Sequence, residues 1–350
     1  MLTIQENVPL APLTTMQVGG PARYFVEADC EDDVREAVAL AKAKTLPLFV
    51  MGGGSNLLVA DSGWPGLVLK IAIGGVTKRE DGATAVFDVG AGIDWDAFVA
   101  QTVADNYAGV ECLSGIPGSV GGTPVQNVGA YGQEVSETIE SVRAFDVQDN
   151  RIVDLSKHTC GFRYRTSIFN TTDRGRYIIL RVAYRLPQKG VPIMKYGDLQ
   201  KYFAATTTSA PSLAQVRDAV REIRKSKGML IVPGDADCRS AGSFFKNPVL
   251  SESAFQDLAR RTALKGMEIP SYPALDAQHK VSAAWLVEHS GFAKGFTLGA
   301  AAISRKHTLA LINTGQARSS DIVRLKDAIQ NGVQEAWGIA LEPEPVFAGF

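Results

Sequence analysis

The chain has 350 residues, of which 45% are hydrophobic and 21% are charged, proportions typical of a globular protein. Its 36 basic and 37 acidic residues nearly cancel, so the net charge provides no bulk attraction to nucleic acid or to a membrane surface. The four cysteines form no CxxC pair and histidines number only four, which argues against a disulfide scaffold and a metal site. The sequence therefore predicts two or three domains, no metal and a reducing, cytoplasmic location.

The first half of the chain shows the periodicities of both strands and helices. A strand is predicted at 22–27, followed by a helix at 31–44 for which Asp29 is the predicted N-cap. The helical spacing predicts that this helix buries Val34, Ala37, Val38 and Ala41. A second helix is predicted to begin at Asp94, and a hairpin is predicted over 141–155. The remaining predicted strands are at 46–51, 66–72, 85–92 and 177–186.

The second half is predicted to be mainly helical, with a loop-like stretch at 228–242 that would join two domains. The predicted helices are at 212–226, 251–261, 281–290 and 319–337, with one strand at 308–314. The last of these helices is predicted to bury Ile322, Leu325, Ile329, Val333 and Trp337. Because strands and helices are mixed without strict alternation, the pattern favours an α+β fold over a doubly wound α/β fold.

Glycine is concentrated in two segments of the chain. GGGSN, at 52–56, follows a predicted strand, and six glycines lie within the eighteen residues 115–132, which contain no charged residue. Glycine permits positive φ and a close approach of ligand to backbone. Tight turns would use the same glycines, but the two segments together favour a backbone cradle around a long, phosphate-bearing ligand. Neither a convincing dinucleotide fingerprint nor a P-loop is present.

Charged and hydroxyl side chains occur in three further motifs. CGFRYRTSIF sets Arg163 and Arg165 among aromatic residues, where a guanidinium suits a carboxylate or phosphate clamp as well as a solvated edge. Ser243 in AGSFFKNP suits a turn or cap as well as catalysis. Glu342 and Glu344 share one face of a predicted final strand. Four cations end the helix at 212–226 and suit either the helix dipole or an anionic ligand: Arg221, Arg224, Lys225 and Lys227.

In their order and spacing, the motifs GGGSN, IPGSVGGTPVQNVGAYG, FRYRTSIF, YGDL, GSFFKNP and LEPE resemble the UDP-N-acetylenolpyruvoylglucosamine reductase family (MurB). The resemblance covers essentially the whole chain, and the stretch with YGDL resembles the longer, type I form. It implies the FAD-binding α+β fold of the vanillyl-alcohol-oxidase (PCMH) type with an additional α+β substrate-binding domain. The implied division is FAD-binding subdomain 1 at 1–70 plus 339–350, FAD-binding subdomain 2 at 71–223, and the substrate-binding domain at 224–338.

The resemblance also implies an activity, the reduction of the enolpyruvyl ether of a UDP-sugar to UDP-N-acetylmuramate, a peptidoglycan precursor. NADPH would reduce FAD, and N5 of the reduced flavin would deliver hydride to the β-carbon of the ether. NADPH and the UDP-sugar would use one shared site in a cytoplasmic monomer, without a nucleic-acid or membrane partner.

Carried over residue by residue, the resemblance assigns three catalytic groups. Arg165 would hold the substrate carboxylate, Ser243 would protonate the α-carbon, and Glu344 would assist only if it is protonated. The implied substrate contacts are Tyr164, Tyr196, Arg224, Lys227, Lys246, Asn247 and His289. The implied FAD contacts are Gly52, Gly53, Gly54, Ser55, Asn56, Ile116, Pro117, Gly118, Ser119, Gly122, Asn127, Gly129, Ala130 and Tyr131.

Two positions depart from the family pattern. Pro345 and Val346 follow Glu344 where the family commonly has valine and arginine, and His289 stands in place of a common glutamine. Two other functions also fit these residues. One is an FAD-dependent oxidase of an alcohol or sugar acid on the same fold, for which Cys112 is the candidate covalent link to flavin. The other is a nucleotide-binding module without turnover, against which the three catalytic candidates argue.

Overall fold

The computed structural model describes residues 2–205 and 210–350. The helices are α1 (Glu31–Ala43), α2 (Trp95–Ala104), α3 (Gly197–Ala204), α4 (Leu213–Ser226), α5 (Glu252–Ala263), α6 (Ala283–Glu288) and α7 (Ser319–Trp337). The strands are β1 (Gln5–Pro9), β2 (Pro21–Ala28), β3 (Leu48–Met51), β4 (Leu57–Val59), β5 (Trp64–Ile71), β6 (Val76–Asp81), β7 (Thr84–Gly90), β8 (Gly129–Ala130), β9 (Gln133–Glu134), β10 (Ile139–Asp146), β11 (Arg151–Ser156), β12 (Tyr177–Pro187), β13 (Val249–Leu250), β14 (Ser271–Pro273), β15 (His279–Val281), β16 (Thr297–Leu298), β17 (Ala301–Ile303), β18 (Leu311–Asn313) and β19 (Val346–Ala348).

The chain folds into two compact units, each built from more than one stretch of sequence. Unit 1 comprises Met1–Val8, Pro21–Gly54 and Trp64–Ser226. Unit 2 comprises Pro9–Gly20, Ser55–Gly63 and Lys227–Phe350. The first glycine segment is divided between them, since Gly54 ends one stretch of unit 1 and Ser55 begins a stretch of unit 2.

Unit 1 contains two large sheets around one large apolar core, besides the two-stranded pair of β8 with β9. The first sheet has the order β1-β2-β5-β3, with β2 and β3 both parallel to β5. The second has the order β11-β10-β12-β7-β6 and its neighbours are antiparallel. Helix α1 contributes Val34, Ala37, Val38 and Ala41 to this core, the four positions that the helical periodicity predicted.

A smaller cluster in unit 1 supports the second glycine segment. Leu199 of α3 and Val216 and Val220 of α4 pack with Cys112 and Tyr131. Cys112 precedes this glycine segment and Tyr131 lies within it, so these two helices form part of the support on which the segment rests.

Unit 2 contains two short antiparallel sheets, β13-β15-β14 and β16-β17-β18, and a parallel pair of β4 with β19. Helix α7 ends at Gly338, whose φ of 72° is left-handed and therefore favours glycine at this C-cap. The core side chains of α7 are those that the sequence predicted: Ile322, Leu325, Ile329, Val333 and Trp337.

The α+β fold class is confirmed, and so are the predicted helices and the hairpin of β10 with β11. The prediction of Asp29 as N-cap of α1 is wrong, because Cys30 occupies that position and the Asp29 N–H is bonded to the Asp33 carboxylate. Helix α6 and strand β18 are shorter than predicted. Within the described residues, no helix combines the length and apolar character that a membrane crossing needs.

Candidate active site

The two glycine segments touch each other through their backbones in unit 1. A Cβ added to Gly53 would lie 2.6 Å from Cα of Gly118, and one added to Gly52 would lie 2.4 Å from Oγ of Ser119. The Gly53 distance is to a backbone atom that cannot move aside, so only glycine allows the approach there, whereas the Gly52 distance is to a side-chain hydroxyl. Gly118 itself has a φ of 121°, a second reason for glycine there.

A buried hydroxyl lies at this contact. Ser119 is 7% exposed, and its Oγ has no hydrogen-bond partner among the described residues. Buried polar atoms are nearly always hydrogen-bonded, so a hydroxyl without a partner indicates a group that the protein itself does not supply. A cradle of glycine backbone with a free hydroxyl fits a phosphate-bearing ligand, and thus fits FAD.

The first residue of the second glycine segment is held from two sides. Gly115 donates its N–H to Oδ1 of Asp96 at 2.6 Å, and its carbonyl accepts from Nε of Arg224 at 3.0 Å. Asp96 also accepts from Arg217 at 2.6 Å and from Arg221. Helix α4 therefore anchors the loop through charge-assisted hydrogen bonds.

The cationic end of α4 makes specific contacts within the protein. Arg221 is bonded to a carboxylate of α2 and Arg224 to a loop carbonyl, so both act through specific contacts within the protein rather than through the helix dipole alone. Burial would raise the pKa of Asp96, but hydrogen bonds from Arg217 and Gly115 hold it below its ordinary value. Burial lowers the pKa of Arg224.

Arg165 lies in a tight turn beside the second glycine segment. Its Nη2 donates to the carbonyl of Gly129 at 2.9 Å, and its guanidinium carbon lies 5.3 Å from the ring centroid of Tyr164. Arg163, the other arginine of the motif, is exposed, so it shows the solvated position that the sequence left open. Tyr196, the N-cap of α3, is 44% exposed and packs edge-on against Tyr131.

Unit 2 brings Ser243 and Glu344 onto neighbouring backbone. The N–H of Glu344 donates to the carbonyl of Phe244 at 2.8 Å, and the N–H of Lys246 donates to the carbonyl of Glu342 at 3.0 Å. Two motifs about a hundred residues apart in sequence therefore run side by side. Both Ser243 and Glu344 are half-buried.

The remaining predicted contacts of unit 2 have defined partners. Lys246 Nζ lies 3.3 Å from the exposed carboxylate of Glu342, and Oδ1 of Asn247 accepts from the N–H of Ala283 at 3.0 Å. His289 is exposed, and its ring stacks on Trp285. The first glycine segment continues into this unit with Ser55 and Asn56, whose backbone or side-chain groups bond Thr15, Glu344 and Val346.

Sequence reasoning missed His307, whose pKa departs further from its ordinary value than that of any other histidine among the described residues. Its Nδ1 accepts from the N–H of Leu309 at 3.1 Å, which leaves the proton of the neutral ring on Nε2. Burial, with the charges of Lys227 and Lys294, lowers its pKa to about 4. One indication of this is present in the sequence, because His307 lies directly before the apolar strand predicted at 308–314.

We expect His307 to lower the free energy of unfolding of the protein as the pH falls. Below pH 6.5 an unfolded histidine takes up a proton that the folded site refuses until about pH 4, so stability falls as the pH falls through this window. His307→Gln should reduce the stability lost between pH 7 and pH 5 by about 2 kcal/mol. Urea unfolding at both pH values measures it, with His158→Gln on the exposed surface as the matched control. Equal losses in wild type and His307→Gln would contradict it.

Comparison with known proteins agrees with this geometry. A family model described as "UDP-N-acetylenolpyruvoylglucosamine reductase, C-terminal domain" matches residues 233–348, and one described as "FAD binding domain" matches residues 22–156. UDP-N-acetylenolpyruvoylglucosamine reductase of Thermobifida fusca is 45% identical over 98% of both chains. The enzyme of the same name from Streptomyces coelicolor is 43% identical over 99% of this chain and 91% of its own. The crystal structure of the Thermus caldophilus enzyme superposes with a TM-score of 0.68, at 26% identity, over 99% of this chain and 100% of its own.

Proposed function

The chain belongs to the UDP-N-acetylenolpyruvoylglucosamine reductase family, and from this premise we propose that Arg165, Ser243 and Glu344 are its catalytic groups. Its activity is the NADPH-dependent reduction of UDP-N-acetylglucosamine enolpyruvate to UDP-N-acetylmuramate with FAD, a step in the synthesis of peptidoglycan precursors. The two glycine segments would hold FAD, which would supply hydride transfer from NADPH to the β-carbon of the enolpyruvyl ether.

The observation that carries the proposal is a backbone hydrogen bond in unit 2. Glu344 donates its N–H to the carbonyl of Phe244, the residue after Ser243, so Ser243 and Glu344 lie on neighbouring stretches of backbone. The proposed chemistry requires a proton for the α-carbon and a second group that assists with the developing charge. A serine is a weak acid, so its position rather than its acidity determines whether it can donate.

Arg165 supplies the charge that this chemistry needs. Addition of hydride to the β-carbon leaves negative charge that spreads into the substrate carboxylate, and a preorganised cation stabilises it. A guanidinium binds a carboxylate through two parallel hydrogen bonds. The bond from Arg165 to Gly129 ties this cation to the glycine segment proposed to hold FAD.

The cofactor contacts that we propose are backbone groups of the two glycine segments and the Ser119 hydroxyl. Gly53 is packed against Gly118 and Gly52 against Ser119, whose hydroxyl has no partner among the described residues. The other FAD contacts named from the sequence stay a prediction, apart from the side chain of Asn127, which is bonded within the protein. The substrate contacts stay a prediction: Tyr164, Tyr196, Arg224, Lys227, Lys246, Asn247 and His289.

The environment of Cys112 argues against the oxidase alternative, for which this residue was the candidate covalent link to flavin. Cys112 is fully buried, and its Sγ donates to the carbonyl of Ile193 at 3.2 Å. Burial, followed by the charge of Glu111, raises the pKa of this thiol well above its ordinary value. Covalent attachment requires a thiolate with access to the ring, and a buried, high-pKa thiol provides neither.

The proposal also covers organisation and setting. NADPH and the UDP-sugar would occupy one site in turn, in a monomer located in the cytoplasm. The division into two FAD-binding subdomains, 1–70 plus 339–350 and 71–223, and a substrate-binding domain, 224–338, also stays a prediction.

Steady-state kinetics tests the shared site. If NADPH and the UDP-sugar bind in turn, double-reciprocal plots at several fixed concentrations of the second substrate will be parallel. Each substrate in excess should then inhibit competitively against the other. Intersecting lines would require both molecules to be bound together and would contradict a single shared site.

A further inference from the structure

Arg165 stands on a two-residue turn that is unfavourable by itself. The N–H of Arg163 donates to the carbonyl of Thr166 at 2.9 Å, and the N–H of Thr166 donates back at 3.0 Å, which places Tyr164 and Arg165 at the corners. Arg165 has a φ of 53°. A left-handed backbone costs a residue with a side chain roughly 1–2 kcal/mol, so other contacts must hold the turn.

Asn127 of the second glycine segment provides such contacts. Its side-chain nitrogen donates to the carbonyl of Arg163 at 3.1 Å and to Oε2 of Glu134 at 2.7 Å. Its side-chain oxygen accepts from the N–H of Ser136 at 3.1 Å. An amide nitrogen carries two donors, and both are taken by protein. Asn127 is 1% exposed, so its side chain serves the protein rather than the cofactor expected from the sequence.

Three more hydrogen bonds hold the turn, one to the same glycine segment and two through Asn170, which follows the turn. Ser167 Oγ donates to the carbonyl of Val125 at 2.6 Å. Asn170 donates from its side chain to the carbonyl of Arg165 at 3.1 Å, and its side-chain oxygen accepts from the N–H of Ser167 at 2.9 Å. The backbone on both sides of Arg165 is thus bonded to amide side chains.

We infer that Asn127 is a positioning residue for Arg165. It clamps the carbonyl at the start of the turn to the segment that holds FAD, so that the guanidinium and the cofactor cradle keep a fixed relation. This inference rests on the proposed role of Arg165 in gripping the substrate carboxylate. A misplacement of the order of 1 Å at such a group costs about 100-fold in rate.

Asn127→Gly tests the inference, because glycine accepts the left-handed φ of 46° at this position and only the side chain is lost. The rate of flavin reoxidation by the UDP-sugar should fall about 100-fold, and flavin reduction by NADPH should fall far less. Stopped-flow absorbance measures each half-reaction separately. Asn150→Gly is the matched control, since Asn150 is exposed and has a φ of 52° in the turn between β10 and β11. It should leave both rates unchanged.

Asn127→Asp adds a pH signature. The oxygen that accepts from Ser136 is kept, but the donor to Arg163 is lost and a carboxylate faces Glu134. Lowering the pH protonates the introduced carboxylate and restores a donor at this position, so the reoxidation rate relative to wild type should recover in acid. A purely structural loss would instead lower FAD content and both half-reactions together, and that result would overturn the inference.

The Arg165→Ala background separates failure of the inference from failure of the proposed function. If Asn127 acts through Arg165, Asn127→Gly should slow reoxidation little further once the guanidinium is absent. Additive losses would contradict the positioning role. If Arg165→Ala itself reoxidised at the wild-type rate, the proposed role of Arg165 would fail. If Arg165→Ala reoxidised slowly while Asn127→Gly reoxidised at the wild-type rate, only the inference about Asn127 would be overturned.

Discussion

Ser243→Ala should leave reduction of the flavin by NADPH almost intact while it slows reoxidation by the UDP-sugar by several orders of magnitude. The first half-reaction needs no proton at the substrate α-carbon, whereas the second cannot finish without one. Loss of a positioned proton donor costs about 10²–10⁴-fold, and geometry rather than the weak acidity of serine sets that value. Rapid mixing of NADPH with oxidised enzyme, and of substrate with reduced enzyme, measures the two steps separately.

Ser251 supplies the matched control for Ser243. Both serines lie in unit 2, but Oγ of Ser251 accepts from the N–H of Ala254 as the N-cap of α5. Ser251→Ala should therefore lower the free energy of unfolding by about 1 kcal/mol and leave both half-reactions at wild-type rates. Ser243→Ala should leave the free energy of unfolding unchanged and slow only the reoxidation of the flavin. If Ser243→Ala slowed the two half-reactions equally, the serine would be a structural residue and the proposed proton transfer would be wrong.

The fold was predictable for helices that bury one apolar face, because the spacing of apolar residues in the sequence marks that face. Helix α7 buries every third or fourth residue, and its core positions were named correctly because the apolar stripe is determined locally. Short strands such as β8 and β9 were not predicted, since two-residue ladders carry no periodic signal and depend on the turn that joins them.

The candidate site was predictable as a set of motifs but not as a network. The glycine segments could be expected to form a cradle, yet the contact of Gly53 with Gly118 depends on where two distant loops meet. The role of Asp96 was not predictable, because an acid in the first turn of a helix usually interacts with the helix dipole. Its bond to Gly115 requires knowledge of the tertiary structure. The same holds for Asn127, whose donors face a carbonyl 36 residues away in sequence.

Gly53→Ala should abolish FAD binding. The added methyl carbon would lie 2.6 Å from Cα of Gly118, 2.8 Å from its carbonyl carbon and 2.9 Å from the N of Ser119. All three are backbone atoms, so no side-chain rotamer can relieve the overlap and the two glycine segments must separate. Separation moves the Ser119 hydroxyl and the surrounding N–H groups away from their places in the cradle. We expect the purified variant to be colourless, with flavin released at concentrations at which wild type retains it.

Gly74→Ala is the control for this prediction because it makes the same chemical change in unit 1, at a glycine outside the two glycine segments. A Cβ added at Gly74 meets nothing within 4 Å, and its φ is not in the left-handed region. This variant should keep its FAD and unfold at the same temperature as wild type or slightly higher, since alanine restricts the unfolded chain. Flavin absorbance per protein and fluorescence titration of apoprotein with FAD compare the two variants. A Gly53→Ala protein that titrates with FAD as tightly as Gly74→Ala would show that the backbone contact of the two segments does not form the cradle.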